Sequence, residues 1–325
     1  MGVKPCLESS REMNLQNRQF SFDDCEPSAV PYAVFHDESG TYSPSSPDRW
    51  LFHGAMFLPS SRISKSSESL RQIRDDTGYY GEIHFKCLGR NPWGRANRCA
   101  RAWLNIYAKN LSSEHRFYCL GIDTLSRAFD SSRFGQPHHA YNRFARMCIE
   151  NAVPWFLASL DRIELAFFSD AKSRKLGDNF ETYLPAAVCE SLAHKRKIKP
   201  SLYPTVCWHS HEVTCVESDP EKVDPYLKDE CELIQLTDLL TSCIAQAATA
   251  RSGRKGKVSL AEIVGRWIAD VRKPPWLQTK ELHRRFCVRC FPSDEGKFFD
   301  PDLKVEVEKT LPLFDKLRGN GGGTT

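Results

Sequence analysis

The segment CELIQLTDLLTSCIAQAATA, residues 231–250, most constrains how this chain can fold. Read as a helix, it carries Leu233, Ile234, Leu236, Leu239, Leu240, Cys243 and Ile244 round most of its circumference. A helix that is apolar on all sides cannot lie on a surface and must be enclosed by other elements. Yet Asp238 stands in its middle. A buried carboxylate is costly unless it is paired, protonated or bound to a metal. Read alone, Asp238 is either an edge residue, a partner of a nearby Arg or Lys, or a ligand.

The elements that could enclose it are legible. Strand-like runs fall at 32–36, 50–58, 116–122, 162–169 and 212–217. Helix-like runs fall at 66–76, 95–110, 139–149, 179–194 and 230–249, with Pro154 expected to break or kink the third. Strands alternating with helices indicate an α/β domain with a largely central sheet. Leu260, Ile263, Val264, Trp267, Ile268 and Val271 follow helical spacing, which predicts a separate helix over 259–271. Ser259 and Glu262 match a capping box at its start, and Pro274 and Pro275 end it. The organisation expected is a polar arm over 1–29, a domain over 30–250 and a helical extension over 251–325 ending in the flexible GNGGGTT. The boundary near Arg251 is where RSGRKGK interrupts the apolar pattern.

Composition narrows the class. Of the 325 residues, 41% are hydrophobic and 26% charged, as in ordinary soluble globular proteins. A net charge of +4 is too small to identify a partner. The 13 cysteines are odd in number and lack the spacing of a disulfide framework. The start, MGVKPCLESSREMNL, has no apolar core of a secretory signal, and Cys6 occupies the place where myristoylation wants Ser or Thr. No run approaches the ~18 uninterrupted apolar residues of a membrane span. A reducing, cytoplasmic setting without membrane association is expected.

Three more acids share the oddity of Asp238. PYAVFHDESGTY, residues 31–42, runs from an apolar strand straight into Asp37 and Glu38, then Ser39 and Gly40. That reads either as a strand leaving the core into a solvated turn or as a strand delivering carboxylates to a site. RIELAFFSD ends at Asp170, and the basic AKSRK with Lys172 and Arg174 follows. Asp after a strand is also a common helix N-cap. GYYGEIHFKCLGR places Glu82 among aromatics, where an ordinary surface Glu reads as well. Carboxylates from separate elements that converge at a sheet end repel one another unless cations neutralise them. Hard divalent ions with oxygen ligands, Mg²⁺ or Mn²⁺, suit such a cluster. Two of them ~4 Å apart can support phosphodiester hydrolysis.

FHDESG, GEIHF, LAFFSD and LIQLTDLL occur in this order between Tyr32 and Ala248. Together they resemble the domain-of-unknown-function family 3800 (DUF3800). The resemblance implies an RNase H-like fold, a mixed central sheet flanked by helices, and a nuclease site. It implies metal-binding and catalytic roles for Asp37, Glu82, Asp170 and Asp238, with Glu38, Ser39 and Gln235 in support. It departs from the family at Thr237, where Ala is usual. A catalytically silent nucleic-acid-binding or protein-interaction module on the same fold is the alternative.

Residues 87–111, CLGRNPWGRANRCARAWLNIYAKNL, contain Arg90, Arg95, Arg98, Arg101 and Lys109 and no acid. Trp93, Trp103 and Tyr107 are interleaved. Basic residues neutralise phosphates and aromatics stack on bases, so nucleic acid, DNA or RNA, is the partner expected. A solvated face with its aromatics turned to the core fits the same pattern. Lys172 and Arg174 are further candidate phosphate contacts; the runs HKRKIK and RSGRKGK read as solvated. HRRFCVRC offers His283, Cys287 and Cys290 but no second CxxC, so zinc is not expected. WHSHE has no evident third ligand and reads as a polar strand face.

Overall fold

The computed structural model describes residues 28–40, 49–89, 91–109, 111, 114–126, 129–171, 178–208, 211–271, 282 and 284–291. The expected arm up to residue 27, Arg90, Lys172, Arg174, His209, Pro274, Pro275, His283 and the glycine-rich tail lie outside the described residues.

Seven strands form one mixed sheet: β1 (Val30–Ser39), β2 (Trp50–Pro59), β3 (Arg116–Asp123), β4 (Arg162–Asp170), β5 (Thr205–Trp208), β6 (Thr214–Val216) and β7 (Phe286–Phe291). Their order is β5-β4-β1-β2-β3-β7, with β6 also pairing β4. The β1, β2 and β3 strands form an antiparallel meander, β4 joins β1 in parallel, and β5 joins β4 in parallel. Six α-helices are found among the described residues: α1 (Ile63–Thr77), α2 (Arg95–Lys109), α3 (Pro137–Leu157), α4 (Phe180–Ile198), α5 (Lys228–Thr249) and α6 (Lys255–Val271).

The sheet is covered on both faces. Side chains of α1, α2, α5 and α6 form the core on one face, and those of α3 and α4 form the core on the other. This explains why β2, WLFHGAMFLP, is buried almost throughout, as a strand enclosed on both faces must be. It also encloses α5, whose buried residues run from Cys231 to Ala248.

Several sequence expectations need correction. Pro154 does not end α3, which continues to Leu157 because Phe156 and Leu157 are buried in the core. The capping box at Ser259 does not exist: α6 starts at Lys255, and the Ser259 hydroxyl donates to the Gly256 carbonyl inside the helix. Strands β5 and β7 have no counterpart among the expected runs. The segment after Arg251 is not only helical, since β7 pairs with β3 in parallel and α6 packs into the same core as α5. Among the described residues, no helix is long and apolar enough to cross a membrane.

Candidate active site

Strand alternation decides where the acids point. On β1, Ala33 and Phe35 face the core beneath α5, whereas Tyr32 and Val34 face the core beneath α3 and α4. With a side-chain period of two, Asp37 falls on the α5 face, and His36 and Glu38 fall on the other. On β4, Phe168 packs on the α5 face and Phe167 opposite, so Asp170 shares the face of Asp37. The parallel register pairs His36 with Ser169, and one further step sets Asp37 beside Asp170.

Helix α5 crosses this face at close range, and Gly54 is the reason it can. Gly54 lies opposite Asp37 on β2. A Cβ there would stand 1.9 Å from Thr241 Oγ1 and 2.9 Å from Phe117 Cζ. The bare backbone lets α5 seat Thr241 on the strand, with Asp238 about one turn away.

The fourth acid arrives on the segment after α1, and Arg74 holds that segment. Arg74 is almost fully buried, with its guanidinium over the Trp103 ring at 4.8 Å. Its Nε donates to both Glu232 carboxylate oxygens, at 3.0 and 2.9 Å. One terminal nitrogen donates to the Gly81 carbonyl at 2.7 Å, and the other to Gln235 Oε1 at 2.9 Å. Gln235 Oε1 also accepts the Ile83 N–H at 2.7 Å. Arg74 and Gln235 therefore tie residues 81–83 to α5. Tyr79 helps by donating its hydroxyl to the Glu82 carbonyl at 2.9 Å.

The result is a polar cavity of about 560 Å³. Asp37, Glu38, Ser39, Glu82, Asp170, Gln235 and Asp238 all line it, together with His84, Lys86, Ser218, Ser242 and Arg251. Every carboxylate singled out in the sequence is thus in one place. Glu82 Oε1 accepts from the Ser218 hydroxyl at 2.9 Å. Asp238 accepts from the Phe85 N–H at 3.2 Å and from the Ser242 hydroxyl at 3.0 Å. Glu38 Oε2 accepts from the Tyr141 hydroxyl at 3.1 Å, which anchors the strand end to α3.

His84 lies among these acids, and nothing in the sequence distinguished it beyond its place two residues after Glu82. Its Nδ1 is 3.5 Å from Asp238 Oδ2 and accepts the Lys86 N–H at 3.1 Å. That acceptor role leaves the proton of the neutral ring on Nε2. Burial lowers the His84 pKa below its ordinary value, against the opposing pull of Glu82, Asp37 and Asp170.

The donor set is chemically suited to a hard cation, being carboxylate oxygens in a polar cavity. Among the described residues, however, no group of three or more His, Cys, Asp or Glu side chains is arranged to hold a metal ion. The four acids share a cavity rather than a closed coordination shell. The cysteines expected to be unsuited to zinc are split by strand alternation: Cys287 packs on the α3 face and Cys290 on the α5 face.

The basic stretch divides. Trp103 and Tyr107 are fully buried and belong to the core, not to a stacking surface. Trp93 is exposed and lies 5.7 Å from the Arg101 guanidinium, which also donates to the Ser259 hydroxyl at 3.0 Å. Arg95 and Arg98 are exposed on α2, outside the cavity wall.

No protein-family model matches the chain, and no curated protein matches it. The resemblance to family 3800 therefore rests on the four short motifs.

Proposed function

We propose that the cavity is the active site of a metal-dependent phosphodiester hydrolase acting on nucleic acid. The observation that carries this reading is the convergence of Asp37, Glu82, Asp170 and Asp238, from four separate elements, on one cavity. Self-repelling carboxylates gathered at a sheet end favour a cation between them. The strand order β3-β2-β1-β4-β5, an antiparallel meander with two parallel strands added beyond β1, supports the RNase H-like reading of the domain.

In this reading Asp37, Glu82, Asp170 and Asp238 hold Mg²⁺ or Mn²⁺, two ions in all. When bound, the ions supply activation of water and stabilisation of the leaving oxygen. The chain's own residues orient the acids. Ser218 holds Glu82, and Ser242 with the Phe85 N–H holds Asp238. Arg74 and Gln235 keep the segment bearing Glu82 and His84 against α5.

The silent-module alternative has one observation in its favour, the lack of a formed three-donor group among the described residues. One experiment separates the two. Labelled DNA and RNA are incubated with Mg²⁺ or Mn²⁺ and with a chelator control, using the native chain and Asp37→Asn. Metal-dependent cleavage lost in a folded Asp37→Asn chain supports hydrolysis. Binding without cleavage under every metal condition, or cleavage retained in Asp37→Asn, overturns it.

A further inference from the structure

An acidic cavity repels a phosphate backbone, so a nucleic-acid substrate needs cations at its rim to be drawn in. Among the described residues, Lys86 and Arg251 are the cations that line the cavity, and the α2 arginines do not. Lys86 lines the cavity itself, and its carbonyl accepts from the Arg254 guanidinium at 3.4 Å. Lys257 Nζ lies 5.0 Å from the Phe85 ring centroid. Phe85 is the residue whose N–H binds Asp238. Burial lowers the Lys257 pKa, and Arg254 and Lys86 add to the effect, so the three cations feel one another. Among the described residues, none of the three forms an ion pair with a carboxylate.

The cluster is built rather than incidental. Arg254 and Lys257 flank the start of α6, and Gly256 presses that first turn onto the segment after Lys86. A Cβ on Gly256 would stand 2.4 Å from the Gly89 carbonyl oxygen and 2.6 Å from Asn97 Oδ1. Only glycine permits that approach, which holds Lys257 of α6 and the preceding Arg254 beside Lys86 of the cavity wall. The three like charges repel one another, with Asp238 offsetting part of that at Lys257, so a phosphate bound among them relieves the remainder. The positive end of the α6 dipole points the same way.

We propose that Lys86, Arg254 and Lys257 form a phosphate subsite that grips the nucleic-acid backbone next to the phosphodiester presented to the acids. This rests on the hydrolase reading for its substrate class. It assigns binding to Arg254 and Lys257 of the run RSGRKGK, which in sequence looks only solvated.

The test measures binding without metal, so that it is independent of cleavage. Fluorescein-labelled DNA and RNA single strands are titrated in chelator across a salt series. Arg254→Gln/Lys257→Gln is compared with the native chain and with Lys197→Gln/Lys199→Gln, a control of equal charge at the C-terminal end of α4 on the opposite face. The expected result is weaker binding on all sequences alike. The slope of log K against log salt should be shallower by about 0.7 for each lost contact to a single strand. An unchanged slope, an equal effect in the control, or a native chain that binds neither strand overturns the subsite. Binding that depends on the pair, in a chain that never cleaves with Mg²⁺ or Mn²⁺, supports the subsite and refutes only the hydrolase reading.

Discussion

Replacing Arg74 by Ala tests whether the acid-bearing segment is held as described. The Arg74 and Glu232 side chains are only 4% and 6% exposed. Removing one partner of a buried pair leaves the other charge unpaired, at a cost of roughly 3–5 kcal/mol. Burial already holds the Glu232 carboxyl above its ordinary pKa, and Arg74 is what pulls it back down. A carboxyl raised in the folded state contributes full stability below its unfolded pKa, about 4.3, and loses it as pH rises through the folded value. Deleting Arg74 raises that folded value further. The deficit of the variant should therefore be largest near neutral pH and shrink as pH falls, by at most about 1.4 kcal/mol per pH unit. Urea unfolding of both chains between acidic and neutral pH reads this directly. A second variant separates stability from positioning. Arg74→Met/Glu232→Leu removes both charges, and an apolar replacement of a buried pair is often neutral or better. It should recover most of the stability yet stay inactive, because Gly81 and Gln235 have lost their anchor. A pH-independent deficit under about 1 kcal/mol in Arg74→Ala would refute the electrostatic account. Full activity in the double variant would refute the positioning role.

Two further substitutions probe the same site. Asp238→Asn can keep its carbonyl toward the Phe85 N–H and turn its amide toward the Ser242 hydroxyl, while removing one charge from the cavity. In chelator it should melt at or above the native temperature, and it should lose most of the stabilisation that Mg²⁺ or Mn²⁺ gives the native chain; a large loss in chelator with the metal shift intact would sink Asp238 as a ligand. Gly54→Ala forces a Cβ to within 1.9 Å of Thr241 Oγ1, so α5 must move. Overpacking of this kind costs about 1–3 kcal/mol, and adding Thr241→Ala should recover part of it in thermal melts; a single variant as stable as the native chain would remove Gly54 from the argument.

The parts legible in the sequence were those set by a repeating pattern. The strands β1 to β4 show as apolar runs, and all six helices show as periodic ones. Strand β7 was hidden because FCVRCF interrupts its apolar residues with arginine and contains a CxxC that suggests other chemistry. Strand β5 is only four residues long, too short to carry a period. Asp37, Asp170 and Asp238 were visible because a charge inside or at the end of an apolar run violates the pattern. Arg74 was not, since SLRQIRDD looks like a solvated helix face. Its signal was positional: Ser67, Leu70 and Arg74 recur at helical spacing and are all buried. His84 and Ser218 could not be found this way, because loops carry no period and their roles depend on which segments meet.

The donors around the acids separate orientation from neutralisation. Glu82 and Asp238 are bonded by two serine hydroxyls and a backbone amide, and Glu38 by a tyrosine. Neutral donors fix a carboxylate's direction while leaving its charge in place. Arg74, the buried cation of this region, is committed instead to Glu232, one helical turn and more from Asp238. Had Arg74 paired with Asp238, the cavity would have lost both its anchor and much of its attraction for a cation. Placing the guanidinium behind the loop and serines in front of it orients Glu82 and Asp238 without setting the Arg74 charge against them. In the proposed hydrolase that division would leave Glu82 and Asp238 oriented for a cation, whereas a purely structural acid would be stabilised more by a direct ion pair.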